Sequence, residues 1–176
     1  MKYILLMAIL LPKLMNCQKS TIETIGDITQ LAIPVSAGIT TLILKDKDGT
    51  WQFVKSFATT VAVTVTLKHI IKKERPNGRG YSSFPSGHTS SAFCGASFIQ
   101  RRYGWKYGAP AYALAVFTGY SRYYAKQHYI IDALAGAAIG IGSTYLFTTP
   151  YQKEHMELTF MSTPENSYLV GFKYKF

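Results

Sequence analysis

The chain has 176 residues, enough for one domain with one core and too few for a second enzymatic domain. Its net charge is +10, from 19 Lys plus Arg against 9 Asp plus Glu, so it favours anionic partners. The basic residues are scattered through apolar segments and no nucleic-acid module is visible, which excludes nucleic acid in favour of an anionic membrane surface or phosphorylated lipid.

The segment 1–18 reads as a signal sequence or N-terminal anchor. Met1-Lys2-Tyr3 precedes an apolar run from Ile4 to Leu11, and Pro12-Lys13 follows. Cys17 lies where a lipoprotein cleavage site would place it. Cys94 sits in an apolar helical stretch as a buried thiol, and two cysteines alone do not fix the redox compartment.

Residues 22–150 are expected to form an all-α domain, a bundle of about five to six helices with the functional site between helix ends. Helices are predicted over Gly26 to Leu44, Trp51 to Lys73, Ser86 to Arg102, Ala109 to Tyr124 and Tyr129 to Thr148. Lys45 to Gly49 marks a turn, and Pro76 stops the second helix, because proline disfavours helix just before it.

The apolar cores of these helices run at or below the roughly 20 residues that cross a bilayer. Mean hydropathy is only +0.06, low for a chain made mostly of membrane spans. Tyr129 to Phe147 is the best spanning candidate, with Asp132 as its one charge. Gly136 and Gly140 on that helix offer a flat face for close helix contact, inside a membrane or inside a soluble bundle. In the tail, 151–176, apolar side chains alternate from Tyr168 to Phe176, and Thr163 to Asn166 reads as a turn, so a short C-terminal β-hairpin is expected.

Three polar clusters carry the chemistry. Lys68 and Arg75 are seven residues apart, two helical turns, and point to the same side. Together they suit a phosphate, with Arg binding oxygens bidentately and Lys adding a point charge; in isolation such a pair is more often two cations stabilised by a helix C-terminus. Lys72, Lys73 and Arg79 read as solvated charges.

Pro85-Ser86-Gly87-His88 lies where a loop enters a helix. Its backbone N–H groups form an anion site, with Ser86 as hydroxyl donor or simple cap and Gly87 permitting close approach. His88 suits a general acid that protonates a leaving alkoxide. The third cluster is Ser121-Arg122 at a helix end, with His128 and Asp132 four residues apart on the next. A carboxylate accepting from one imidazole nitrogen would leave the other free as a nucleophile. Arg122 would add a third cation.

These clusters, in this order and spacing, resemble the type 2 phosphatidic acid phosphatase superfamily, which also includes bacterial class A acid phosphatases and vanadium haloperoxidases. The resemblance spans Lys68 to Asp132, with weaker similarity from about Gly26 to Thr149. It implies that His128 attacks phosphorus to form a phosphohistidine and that His88 protonates the departing oxygen before water regenerates the enzyme. Lys68, Arg75, Arg122 and the amides around Ser86 and Gly87 would stabilise the charge. His69 and His155 fall outside the pattern.

The expected function is metal-independent removal of phosphate from a phosphorylated lipid: phosphatidic acid-like, lipid A or a polyprenyl diphosphate. No cofactor and no metal are expected, since no two histidines sit at ligand spacing with a second carboxylate and three cations would repel a divalent ion. The alternative is a broad-specificity periplasmic acid phosphatase on small soluble phosphoesters. Vanadate-dependent halide oxidation resembles much larger chains, and a noncatalytic lipid binder would not need His88, His128 and Asp132 together. The resemblance places the protein in a bacterial cell envelope, at the inner membrane with a periplasm-facing site or free in the periplasm. The oligomeric state is not legible in the sequence.

Overall fold

A computed structural model describes residues 2–151, 156–162 and 168–174, with side chains from Thr21 to Tyr151. Five helices appear in order: α1 (Lys2–Ile43), α2 (Lys47–Ile70), α3 (Gly87–Tyr103), α4 (Trp105–Tyr124) and α5 (Ile130–Phe147). The architecture is all-α. In the tail, β1 (Met156–Ser162) and β2 (Tyr168–Tyr174) run antiparallel, with Phe160 opposite Val170. The turn expected at Thr163 to Asn166, His155 and the Cys17 side chain lie outside the described residues.

Four helix boundaries differ from the sequence expectation by more than one residue, one of them the start of α2, at Lys47 rather than Trp51. The helix predicted from Gly26 is the second half of the continuous α1. α2 stops at Ile70 rather than Lys73, because the Lys73 carbonyl accepts from Ser83 N at 2.9 Å and the chain there pairs with Ser82 instead of continuing the helix. α4 starts at Trp105, four residues early. Gly104 before it holds φ +93°, a conformation that glycine adopts without strain, and its carbonyl accepts from Gly108 N.

The five helices form one bundle in which α3 is central, packed against α1, α2, α4 and α5. Small residues set the spacing. A Cβ on Gly136 would lie 2.5 Å from the Ser86 carbonyl oxygen, and one on Gly140 would strike the Ser90 carbonyl, so the flat glycine face of α5 is spent against α3. A Cβ on Gly95 would come within 2.7 Å of Pro34 N, which brings α1 equally close on another side.

The distribution of polarity is inverted relative to a water-soluble bundle. On α1 the buried positions are Gly26, Thr29, Ile33, Pro34, Ala37 and Thr41 among the described side chains, whereas Ile28, Leu31, Val35, Ile39 and Leu42 face outward. On α2 the buried stripe is Ser56, Thr60 and Thr64, with Val54, Val61 and Val65 outside. Hydroxyls join the helices internally: Thr29 to Thr118 at 2.8 Å, Thr64 to Ser90 at 3.1 Å, and Ser97 to Thr144 at 2.7 Å. A compact apolar core remains around Ile33, Ala92, Ala96, Ala111 and Ala115. α5 is also long and apolar enough to cross a membrane.

At one end of the bundle, Arg102 and Asp46 form a buried two-point ion pair, with Nη2 to Oδ1 at 2.6 Å and Nε to Oδ2 at 2.7 Å. Asp46 also caps α2 through Gly49 N and accepts from Tyr103 Oη. The pair ties the α1–α2 turn to the end of α3. The opposite end, where α2 and α4 finish and α3 and α5 begin, holds every cluster named above.

Candidate active site

The site is built from helix ends and two loops. Ser86 is the N-cap of α3. Its fully buried hydroxyl accepts from Thr89 Oγ1 at 2.9 Å and from Thr89 N at 3.4 Å, which satisfies one of the orphan donors of the first turn. Ser86 N donates to the Asp132 carbonyl at 2.9 Å, so this amide is used to lock α3 onto α5. The expectation that Ser86 would offer its amide to an anion is corrected here, since that N–H is spent on Asp132; its hydroxyl accepts from Thr89 and keeps its own proton to donate. Gly87 and His88 start the helix beside it, and the Lys68 side chain passes Gly87.

Lys68, near the end of α2, donates to the Ser82 carbonyl at 2.8 Å. Arg75 reaches the Ser82 hydroxyl through Nη2 at 3.3 Å, so the two expected cations converge on one loop residue. Arg75 Nε is buried and is the one such side-chain atom among the described residues without a hydrogen-bond partner. A buried guanidinium N–H left unpaired is costly unless an anion completes it.

His128 sits in the loop between α4 and α5, 2% exposed. Its Nδ1 lies 2.6 Å from the Ser83 carbonyl oxygen. A carbonyl can only accept, so Nδ1 carries the proton and a neutral ring presents Nε2 as a lone pair. Burial pushes the imidazole down to about 4, with the charges of Lys68 and Arg75 acting the same way against the Ser83 hydrogen bond. The ring is therefore neutral at pH 7.

Asp132 does not bind His128, contrary to the expected pairing. Its fully buried carboxylate accepts from Lys73 Nζ at 2.6 Å, Ser83 Oγ at 2.6 Å and Tyr129 N at 3.0 Å. The Tyr129 bond is the carboxylate half of a capping box at the start of α5. The i, i+4 spacing placed the two residues near one another, but His128 lies before the helix begins, where helical periodicity does not apply. Lys73 is likewise not a free solvated charge: besides Asp132 it lies 4.4 Å over the Tyr129 ring.

Arg122, in the last turn of α4, is 1% exposed. It donates to Asp27 Oδ1 at 2.7 Å, the Glu23 carbonyl at 2.6 Å and Ser121 Oγ at 3.1 Å. His88 Nε2 lies 2.9 Å from the same Asp27 oxygen. Glu23 also accepts from Gln127. Sequence reasoning missed Asp27, Glu23 and Ser83. No local signal marks Asp27, which lies 61 residues from His88 and 95 from Arg122.

Two cavities flank the cluster. One of about 510 Å³ is lined by Pro76, Tyr123, Tyr124, Lys126, His128 and Tyr129. The other, of about 800 Å³, is lined by Lys68, His69, Lys72, Tyr81 and Ser82. Among the described residues no group of three or more His, Cys, Asp and Glu side chains is placed to hold a metal ion. A neutral imidazole with a free Nε2, Arg75 with an unpaired donor, and Lys68 within electrostatic reach are the parts of a nucleophilic site for an anion.

Comparison with known proteins gives the same chemistry a family. The family model of the PAP2 superfamily matches residues 49–156. The chain is 31% identical over 169 residues to a lipid A 4'-phosphatase of Helicobacter pylori, a match covering 88% of this chain and 85% of that one. A shorter stretch of 77 residues is 40% identical to a lipid A 1-phosphatase of Porphyromonas gingivalis, covering 42% of this chain and 17% of the relative. The crystal structure of Aquifex aeolicus LpxE shares the fold, with a TM-score of 0.65 at 21% identity over 74% of this chain and 84% of that one. The chain belongs to the PAP2 superfamily.

Proposed function

We propose that this chain, a lipid phosphatase of the PAP2 superfamily, removes a phosphate monoester from a lipid A-like glycolipid without a metal ion. The carrying observation is His128, held by the Ser83 carbonyl as a neutral ring with Nε2 free, beside Lys68 and Arg75. Nε2 attacks phosphorus, the P–O bond to the lipid breaks, and a phosphohistidine forms. His88 gives the leaving oxygen its proton, then takes one from the water that releases inorganic phosphate. Lys68, Arg75, Arg122 and the amides at Gly87 and His88 carry the equatorial oxygens. Asp132 acts through Ser83, which it holds in place for His128.

The lipid half of the reading rests on the outer surface. Large apolar side chains face outward along α1, α2, α4 and α5, while small and hydroxyl residues lie between helices, the pattern of a bundle packed in lipid. The low mean hydropathy follows from that hydroxyl-rich interior, which removes the main support for a soluble acid phosphatase. An apolar groove of about 350 Å³ between α4 and α5 includes Phe93, Val116, Leu134 and Ile130, and Tyr123 lines both it and the cavity beside His128. The groove gives an acyl chain a place next to the phosphate. Residues 22–150 are the catalytic unit on this reading, the paired tail strands are an appendage, and the site faces the periplasm from the inner membrane.

Phosphate release is the test, measured with chelator present on lipid A, a phosphatidic acid, a polyprenyl diphosphate and a soluble aryl phosphate, for wild type and His128→Ala. Release that favours lipid A and disappears in the variant supports the reading. Equal turnover of the soluble ester moves the assignment to a broad acid phosphatase, and no release from folded protein removes His128 as nucleophile.

A further inference from the structure

Asp27 is a half-exposed carboxylate on α1, outside the three clusters. One of its oxygens accepts from two groups on different helices, His88 Nε2 at 2.9 Å and Arg122 Nη1 at 2.7 Å. The charged groups that face the His88 ring are Asp27 from α1, Lys68 from α2 and Arg122 from α4. Two of these are cations and disfavour an imidazolium. Asp27 is the one anion among them.

A general acid for a lipid phosphate has to hold a proton until the P–O bond breaks, because an alkoxide is a poor leaving group. An imidazole flanked only by Lys68 and Arg122 loses that proton too early. We infer that Asp27 is the positioning residue of the general acid: it holds His88 by Nε2–H, opposes burial, Arg122 and Lys68 in retaining the ring proton, and leaves Nδ1 to deliver that proton. When the P–O bond breaks, the Nδ1 proton passes to the lipid oxygen and His88 becomes neutral, still donating Nε2–H to Asp27. The ring recovers its proton from the water that attacks the phosphohistidine. The arrangement repeats the carboxylate–imidazole logic of a hydrolytic triad on the acid side of the reaction. It also fixes Arg122, since the same oxygen orients its guanidinium. This inference rests on the phosphohistidine reading above.

The decisive variant is Asp27→Asn, which keeps an acceptor oxygen and removes the charge. The probes are a phosphorylated lipid with a sugar or alkyl alcohol as leaving group and an aryl phosphate with an acidic phenol, which needs little protonation. Asp27→Asn is expected to lose about a hundredfold in kcat on the lipid and about tenfold on the aryl ester. The basic limb of its pH–rate profile on the lipid moves to lower pH, and Asp27→Glu restores part of the rate and of the limb. Equal losses on both esters with an unmoved limb would overturn the assignment and leave Asp27 as a tether for Arg122. A misfolded Asn variant passes the decision to Asp27→Glu, where an unshifted limb together with an equal loss on both esters is again contrary. If wild type releases no phosphate, the phosphatase reading itself fails first, which separates the two conclusions.

Discussion

Asp132 governs His128 without touching it: the carboxylate takes the Ser83 hydroxyl at 2.6 Å, and the carbonyl of the same serine takes His128 Nδ1 at 2.6 Å. On the proposed reading the nucleophile is therefore oriented by a backbone atom, and the carboxylate acts through one intervening residue. Ser83→Ala keeps the carbonyl but frees it from its anchor. The variant should lose about tenfold in kcat with little change in KM, because a misaligned nucleophile affects the bond-making step. Asp132→Asn should lose at least as much, since it also weakens the ion pair to Lys73. The double variant should be no worse than Asp132→Asn alone, a non-additivity that a double-mutant cycle on kcat measures. Additive losses would show that the two residues act separately.

The positions to which phosphate chemistry is proposed were legible as clusters because each lies near a helix end whose spacing is local: Lys68 and Arg75, Ser86 to His88, and Arg122 through Asp132. Their partners were not. Lys73 finds Asp132 across 59 residues, and His88 finds Asp27 across 61, contacts that follow from bundle assembly and leave no periodic trace. The i, i+4 argument for His128 and Asp132 failed because α5 begins at Ile130, after the histidine. Helix count and type were readable from apolar runs punctuated by Gly and Pro. The inside-out polarity was not, since Ser and Thr on α2 lower hydropathy equally whether they face water or another helix.

Protonation of His128 sets the acid side of the pH profile. Burial holds its folded pKa at about 4, below the ordinary 6.5, so the free enzyme keeps a neutral imidazole down to that region. The acid limb of kcat/KM should therefore fall near pH 4, not pH 6.5. The stability sign follows from the same depression. Between 6.5 and about 4 the unfolded chain binds a proton that the folded chain refuses, so this contribution is complete above 6.5 and is lost as pH falls toward 4. Detergent-solubilised wild type should lose more unfolding temperature between pH 7 and pH 5 than His128→Asn does. Parallel losses would show that His128 is not held neutral by the fold.

Arg75 should be the cation most sensitive to its geometry. Its Nε is buried without a partner while Nη2 makes only a 3.3 Å bond to Ser82, so its forked donors await an anion. Lysine preserves the charge and loses the fork. Arg75→Lys should raise the inhibition constant of orthovanadate by about tenfold, and Arg75→Ala by more, with the fold intact by thermal unfolding. Unchanged vanadate inhibition in Arg75→Lys would mean that charge alone matters there.

The contact between α3 and α5 sets the distance between the two histidine-bearing ends, and Gly136 is its close approach nearest the site. A methyl group there would meet the Ser86 carbonyl oxygen at 2.5 Å and Thr89 Cβ at 3.3 Å, both on the first turn that presents His88. Backbone cannot yield as a flexible side chain does, so α5 must shift. Gly136→Ala should cost about 1–3 kcal/mol of stability and reduce kcat as well, because the shift moves Asp132 and Ser86 apart. Gly142 is the matched control on the same helix, with open space where its Cβ would be. Gly142→Ala should be neutral or slightly stabilising by unfolding in detergent, since alanine is the better helix former. Equal behaviour of the two variants would mean that α3 and α5 have room between them, and that the position of the site depends on its loops alone.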